Sequence, residues 1–133
     1  DASKLAFISS SRDHKIAHLQ IADAETGKIE SILKEEVDTY FESGARKINW
    51  HILFDSNEVL WFSERDNWGH MYLYDLSTKK LKHQITKGDW AVLQVLNVDE
   101  KNRELIFTAG TFVLFIVSVY TIFTYLKPFG KST

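Results

Sequence analysis

One segment of this chain occurs twice. The stretch HLQIADAETGKIESIL (His18–Leu33) lies over HMYLYDLSTKKLKHQI (His70–Ile85) without a gap, at an offset of 52 residues. His18 meets His70, Asp23 meets Asp75, Thr26 meets Thr78 and Lys28 meets Lys80, with apolar residues at matching places between them. Just upstream, SSRD (Ser10–Asp13) lies over SERD (Ser63–Asp66) at an offset of 53, which predicts one residue gained or lost in the intervening loop. NRELIFT (Asn102–Thr108) begins a third copy on the pattern of SNEVLWF (Ser56–Phe62). A repeat of this length restricts the fold more than any single motif, because each copy is one supersecondary unit that buries its faces only against a neighbour.

Each copy reads as short strands. KLAFIS and EVLWFSE are β-branched and aromatic runs, and HMYLYD alternates so that Met71 and Leu73 oppose Tyr72 and Tyr74. DAETGK and DLSTKK read as loops, in which Asp23 and Asp75 accept backbone N–H bonds and Gly27 supplies a positive φ. KIESIL and LKHQIT complete the hairpins, and AVLQVLNVD adds one more apolar run before the next copy. Four short strands in about fifty residues is the spacing of propeller blades. The expected fold is all-β: a partial β-propeller of about two four-stranded blades plus the start of a third, with a plain antiparallel sandwich as the competing architecture.

Composition narrows the function. Against 18 Asp and Glu stand 16 Lys and Arg, so no clustered positive field points to nucleic acid. The absence of cysteine removes disulfides, thiolate metal sites and a Cys nucleophile. His14 and His18 are four apart but lie in a strand pattern, without H-E-x-x-H or a carboxylate cluster, so neither a metal nor a cofactor is expected. Glu35, Glu36 and Asp38 read as a solvated loop between blades. The opening residues, DASKLAFISSS, lack the charged start, apolar core and cleavage site of a signal peptide.

Ser63, Asp66 and His70 supply the residue types of a hydrolase triad. The repeat counts against catalysis, because Ser10, Asp13 and His18 stand at the corresponding places in the previous copy, and no glycine forms a G-x-S-x-G turn. A structural role is expected instead, with the Arg and Asp of the motif bracketing a tight strand connection.

The sequence S-E-R-D-N-W-G-H-M-Y-L-Y-D (Ser63–Asp75), followed by I-T-K-G-D-W (Ile85–Trp90) and V-D-E-K (Val98–Lys101), resembles the N-terminal propeller region of dipeptidyl peptidase IV-type enzymes, in the prolyl oligopeptidase family of serine peptidases. The resemblance covers roughly residues 4–110 and rests on Ser63, Glu64, Arg65, Asp66, Trp68, His70, Tyr72, Tyr74, Asp75, Gly88 and Trp90. It departs at Asn67-Trp68-Gly69, where the family pattern has Gly before the Trp and Asn after it; Asn67 tolerates the positive φ that the turn needs. The resemblance implies a parent enzyme that removes dipeptides from peptide N-termini, with its catalytic Ser, Asp and His in an α/β-hydrolase domain outside this chain. It implies no catalytic residue here, a role in gating access for small peptide substrates, further blades and the hydrolase domain as partners, and an exported or periplasmic parent.

Residues 105–126 carry no charge, and Lys127 and Lys131 follow. This run is long enough to cross a hydrocarbon core of about 30 Å as a helix, yet its Val, Ile, Thr, Phe and Tyr also suit strands. The expected division is therefore a propeller region over 1–110 and an apolar tail over 111–133, the tail being a transmembrane helix, sheet or unselected sequence. The alternative to a peptidase fragment is a free-standing β-sheet interaction module tethered by that tail.

Overall fold

A computed structural model describes residues 3–39, 41, 49–111 and 121–130. All regular structure in them is strand, and the chain divides into two compact units, residues 1–45 and 46–133. The first unit holds one sheet, in the order β1 (Lys4–Ser10), β2 (Ile16–Asp23) and β3 (Ile29–Glu36). The second holds a four-stranded sheet of β4 (Trp50–Leu53), β5 (Glu58–Ser63), β6 (His70–Asp75) and β7 (Leu81–Gln84). It also holds a three-stranded sheet of β8 (Ala91–Asp99), β9 (Glu104–Thr111) and β10 (Thr121–Pro128). Every pairing is antiparallel between consecutive strands, the up-and-down order of propeller blades.

The repeat is visible in the backbone. Six left-handed positions fall into three matched pairs: His14 with Asn67, Gly27 with Lys79, and Asn57 with Arg103. Asp23 Oδ1 accepts Thr26 N–H at 2.7 Å and its hydroxyl at 2.8 Å; Asp75 Oδ1 accepts the same groups of Thr78 at 2.7 and 3.0 Å. These bonds, first those from the threonine N–H groups, hold both carboxyls below the usual carboxylate range. The expected loop insertion lies elsewhere. Ser10 pairs with Ala17 and Ser63 with His70, so both connections have equal length. The extra residue is in the ladder, which has seven rungs from Lys4↔Asp23 to Ser10↔Ala17 and six from Glu58↔Asp75 to Ser63↔His70.

The strand AVLQVLNVD also groups differently from its expected place at the end of the second copy. As β8 it pairs with β9 and begins the next sheet, just as β4 pairs with β5. An apolar run does not encode which neighbour it joins. Here β7 has three exposed residues, Leu81, Lys82 and His83, and forms the outer edge, while the chain crosses back with Val92 N–H donating to the Gly69 carbonyl at 2.7 Å.

Inside the second unit, alternation builds the core. Leu60 and Phe62 of β5 and Met71 and Leu73 of β6 share one face and cluster with Leu105, Phe107 and Ala109, alternate residues of β9. Leu53, Ile85, Val92 and Phe129 complete this buried cluster between the two sheets. The opposite face of β5 and β6 carries the cross-strand pairs Val59↔Tyr74, Trp61↔Tyr72 and Ser63↔His70, all buried. Side chains such as Leu60 and Leu73, each buried against 25 cal/mol per Å² of apolar surface, contribute about 2 kcal/mol apiece to folding.

The uncharged run is not one helix. Its first part is β9 and residues 121–126 lie in β10, joined by a register from Thr121↔Thr111 to Pro128↔Glu104. The ladder satisfies backbone groups that a helix would have paired locally, and the β-branched residues suit the pleat. Among the described residues no helix is long and apolar enough to cross a membrane, and residues 112–120 lie outside them.

Candidate functional site

The recurring motif residues gather at the β5–β6 turn and the segment after β7. Asn67, at φ 65°, closes the turn with its N–H donating to the Glu64 carbonyl at 3.0 Å. Asn67 thus takes the left-handed place at which the family pattern has glycine. Gly69 answers the other half of the departure. A Cβ there would lie 2.6 Å from Phe62 Cε2, so the Phe62 ring fills the space that an asparagine at 69 would need.

His70 is 1% exposed and both ring nitrogens are occupied. Nε2 lies 3.1 Å from the Gly88 carbonyl, which can only accept, so this nitrogen carries the hydrogen. Nδ1 lies 3.1 Å from the Thr86 hydroxyl, which donates to it in the neutral ring and accepts the Met71 N–H at 3.0 Å. Trp90 meets the imidazole edge-on at 5.2 Å and stacks on Phe107 at 6.0 Å, linking the motif to β9. Gly88, at φ 139°, leaves room for the indole.

Ser63 and Asp66 are engaged elsewhere. Ser63 Oγ accepts Arg65 Nε–H at 2.8 Å, and Arg65 lays its guanidinium over Tyr72, 4.4 Å from the ring centroid, with Tyr74 at 5.8 Å. Asp66 accepts the Tyr72 hydroxyl at 3.0 Å and the Gln84 amide at 2.7 Å, bonds that hold its carboxyl below the usual range. The three residue types of a triad are thus close in the chain, while the hydrogen bonds of the imidazole nitrogens run to Gly88 and Thr86. The remaining motif residues take turn and wall positions: Glu64 is exposed, Trp68 is half-buried, Asp75 holds its turn, and Tyr72 and Tyr74 are buried.

One buried constellation escaped the sequence. Glu58, on the same face of β5 as Leu60, accepts Lys82 Nζ at 2.7 Å and Arg103 Nη1 at 2.5 Å, tying β7 and the β8–β9 turn to β5. Its carboxylate is 1% exposed. Burial raises its pKa, but the hydrogen bonds from Arg103, Lys82 and Ser56 outweigh that effect and hold it below the usual value. Only the match of Glu58 to Glu104 at the head of two copies hinted at this position, and its partners are distant in sequence. Among the described residues no group of three or more metal-ligating side chains occurs.

The sequence matches the family described as the dipeptidyl peptidase IV (DPP IV) N-terminal region over residues 1–125, past Gly110 and into β10. The chain belongs to that family. Relatives of the DPP IV N-terminal region include dipeptidyl peptidase 4 of Arthroderma otae, 35% identical over 60 residues, which are 45% of this chain and 8% of that protein. Dipeptidyl peptidase 4 of Trichophyton rubrum is 33% identical over the same coverage, so the matched part is a small fraction of the curated relatives' length. Among solved structures, dipeptidyl peptidase 4 of Porphyromonas gingivalis superposes with a TM-score of 0.70 at 21% identity, over 83% of this chain and 15% of that one. A Bacteroides ovatus protein described as a dipeptidyl aminopeptidase IV gives 0.69 at 25% identity, over 92% and 19%. With its consecutive meander sheets, this DPP IV N-terminal region is a partial β-propeller.

Proposed function

We propose that this region is a non-catalytic, substrate-gating part of a DPP IV-like serine peptidase, acting with further blades and an α/β-hydrolase domain in an exported parent protein. Membership of the DPP IV N-terminal family supports the peptidase context. The observation that carries the non-catalytic reading is the commitment of both His70 nitrogens to Gly88 and Thr86. A rigid wall suits gating, because selection by size needs blades that do not yield when a large substrate presses on them.

The purified chain is expected to show no turnover of a dipeptidyl chromogenic substrate ending in proline. Turnover that disappears in Ser63→Ala would overturn the non-catalytic reading. Gating is tested separately, by grafting residues 49–111 into the matching place of the Bacteroides ovatus relative. The chimera should cleave short peptides and spare long ones; equal cleavage of both would sink the gating role.

A further inference from the structure

Beyond residue 125, where the family match ends, the chain does not leave the fold. Phe129 is 1% exposed and belongs to the buried cluster that contains Leu53, Leu60, Leu105 and Phe107. Besides that packing, Arg103 makes two contacts to Phe129 and one to Gly130. The Phe129 N–H donates to the Arg103 carbonyl at 2.9 Å, continuing the β9–β10 ladder past its last rung. The Arg103 guanidinium lies over the Phe129 ring, 4.5 Å from its centroid. Arg103 Nε–H donates to the Gly130 carbonyl at 2.7 Å. Gly130 itself, at φ 93°, turns the backbone there in a conformation that side-chain-bearing residues rarely adopt.

We propose that Pro128–Gly130 is a clasp that docks into the second unit and is latched by Arg103, with Phe129 as its plug between the two sheets. The latch is made by a residue with a second commitment, since Nη1 of the same guanidinium binds Glu58 and Ser56. Its Nη2 is buried without a hydrogen-bond partner, a cost that leaves this grip short of its full strength. Phe129 has one ladder bond and lies at the end of β10, whereas residues of β5 have paired strands on both sides. A segment held this way opens locally, without the sheets coming apart. The clasp therefore controls when the core between the sheets is exposed, and it is a feature of this chain outside the matched family region.

The test is amide hydrogen exchange on the full chain, followed residue by residue, for wild type, Arg103→Lys and Phe129→Ala. Lysine keeps the charge beside Glu58 but loses the planar face and the Nε–H fork. The Phe129 amide is expected to be protected in wild type and to exchange at least tenfold faster in Arg103→Lys, while the amides of β5 and β6 keep their protection. Phe129→Ala, which removes the plug, should raise exchange at 129 and 130 in the same way. An unprotected Phe129 amide in wild type would overturn the clasp, and so would an unchanged rate in Arg103→Lys. Equal acceleration across β5 and β6 in both variants would also overturn it, by showing that the segment does not open on its own.

Discussion

Glu58→Ala is expected to lower stability by about 3–5 kcal/mol, the usual cost of removing one partner from a buried ion pair. The carboxylate is 1% exposed and sits between two cations that differ in their freedom. The Lys82 side chain is 25% exposed and can turn its ammonium to water, but the Arg103 side chain is 11% exposed and is fixed by Phe129 and Gly130. Arg103 is thus the charge left stranded, and its desolvation dominates the loss. Replacing both, as Glu58→Met with Arg103→Met, should recover part of the stability, because the apolar pair leaves no buried charge unmatched. A urea midpoint for the double variant below that of Glu58→Ala would refute this account. The same carboxyl gives a pH signature. Its pKa in the folded protein is held below the unfolded value, near 4.5, by Arg103, Lys82 and Ser56 against the opposing effect of burial. Its contribution is therefore present above about pH 4.5 and fades as pH falls through the lower folded value. The difference in midpoint between wild type and Glu58→Ala should shrink as the pH is taken down from 4.5; a gap that stayed constant would mean the ion cluster is not its source.

The repeat made the fold class readable because its strongest signals are local. The loop carries its own signal, an Asp whose carboxylate accepts the N–H of a Thr three residues on, and both copies have it at Asp23/Thr26 and Asp75/Thr78. The left-handed positions are local too, and the pairing of His14 with Asn67 follows from the aligned turns. Blade phase was not readable. Ala91–Asp99 has the same apolar character whether it ends one sheet or begins the next, and only the ladder with β9 decides. The uncharged stretch from Leu105 was ambiguous for a similar reason. Two apolar strands in a row have the composition of one membrane helix, and what separates them is the register that brings Thr121 opposite Thr111.

The candidate site was legible in part. The sequence reads Ser63, Asp66 and His70 as structural because Ser10, Asp13 and His18 repeat the residue types; the ladders match Ser10 with Ser63 but put Ala17, not His18, at the place of His70, whose ring faces Thr86 and Gly88. Thr86 lay within the quoted I-T-K-G-D-W stretch, yet nothing in the sequence marked its hydroxyl as the link between the His70 ring and the Met71 backbone. The Glu58 cluster was opaque because Lys82 and Arg103 are brought to it only by the outer strand of one sheet and the turn of the next.

Gly88→Ala is the second substitution with a large expected effect, and Gly27→Ala is its internal control. At Gly27, φ is 69° and a Cβ would meet nothing within 4 Å, so alanine adds only the strain of a left-handed residue, about 1 kcal/mol. Lys79 shows that the matched position accepts a side chain, at φ 58°. At Gly88, φ is 139°, a region essentially closed to L-residues and worth about 1–3 kcal/mol of strain. A Cβ there would also lie 2.8 Å from Trp90 Cδ1, closer than real Cβ contacts come. Trp90 cannot yield freely, because its indole stacks on Phe107 at 6.0 Å and meets the His70 ring at 5.2 Å. Displacing it adds an overpacking cost of about 1–3 kcal/mol. The backbone shift would also carry the Gly88 carbonyl away from His70 Nε2 and leave a buried N–H unmatched. Gly88→Ala should therefore cost about 2–6 kcal/mol by urea denaturation and move the indole N–H resonance of Trp90, while Gly27→Ala leaves that resonance in place. Equal losses for the two variants would show that backbone strain alone is at work, and that the contact of Gly88 with Trp90 does not hold the motif to β9.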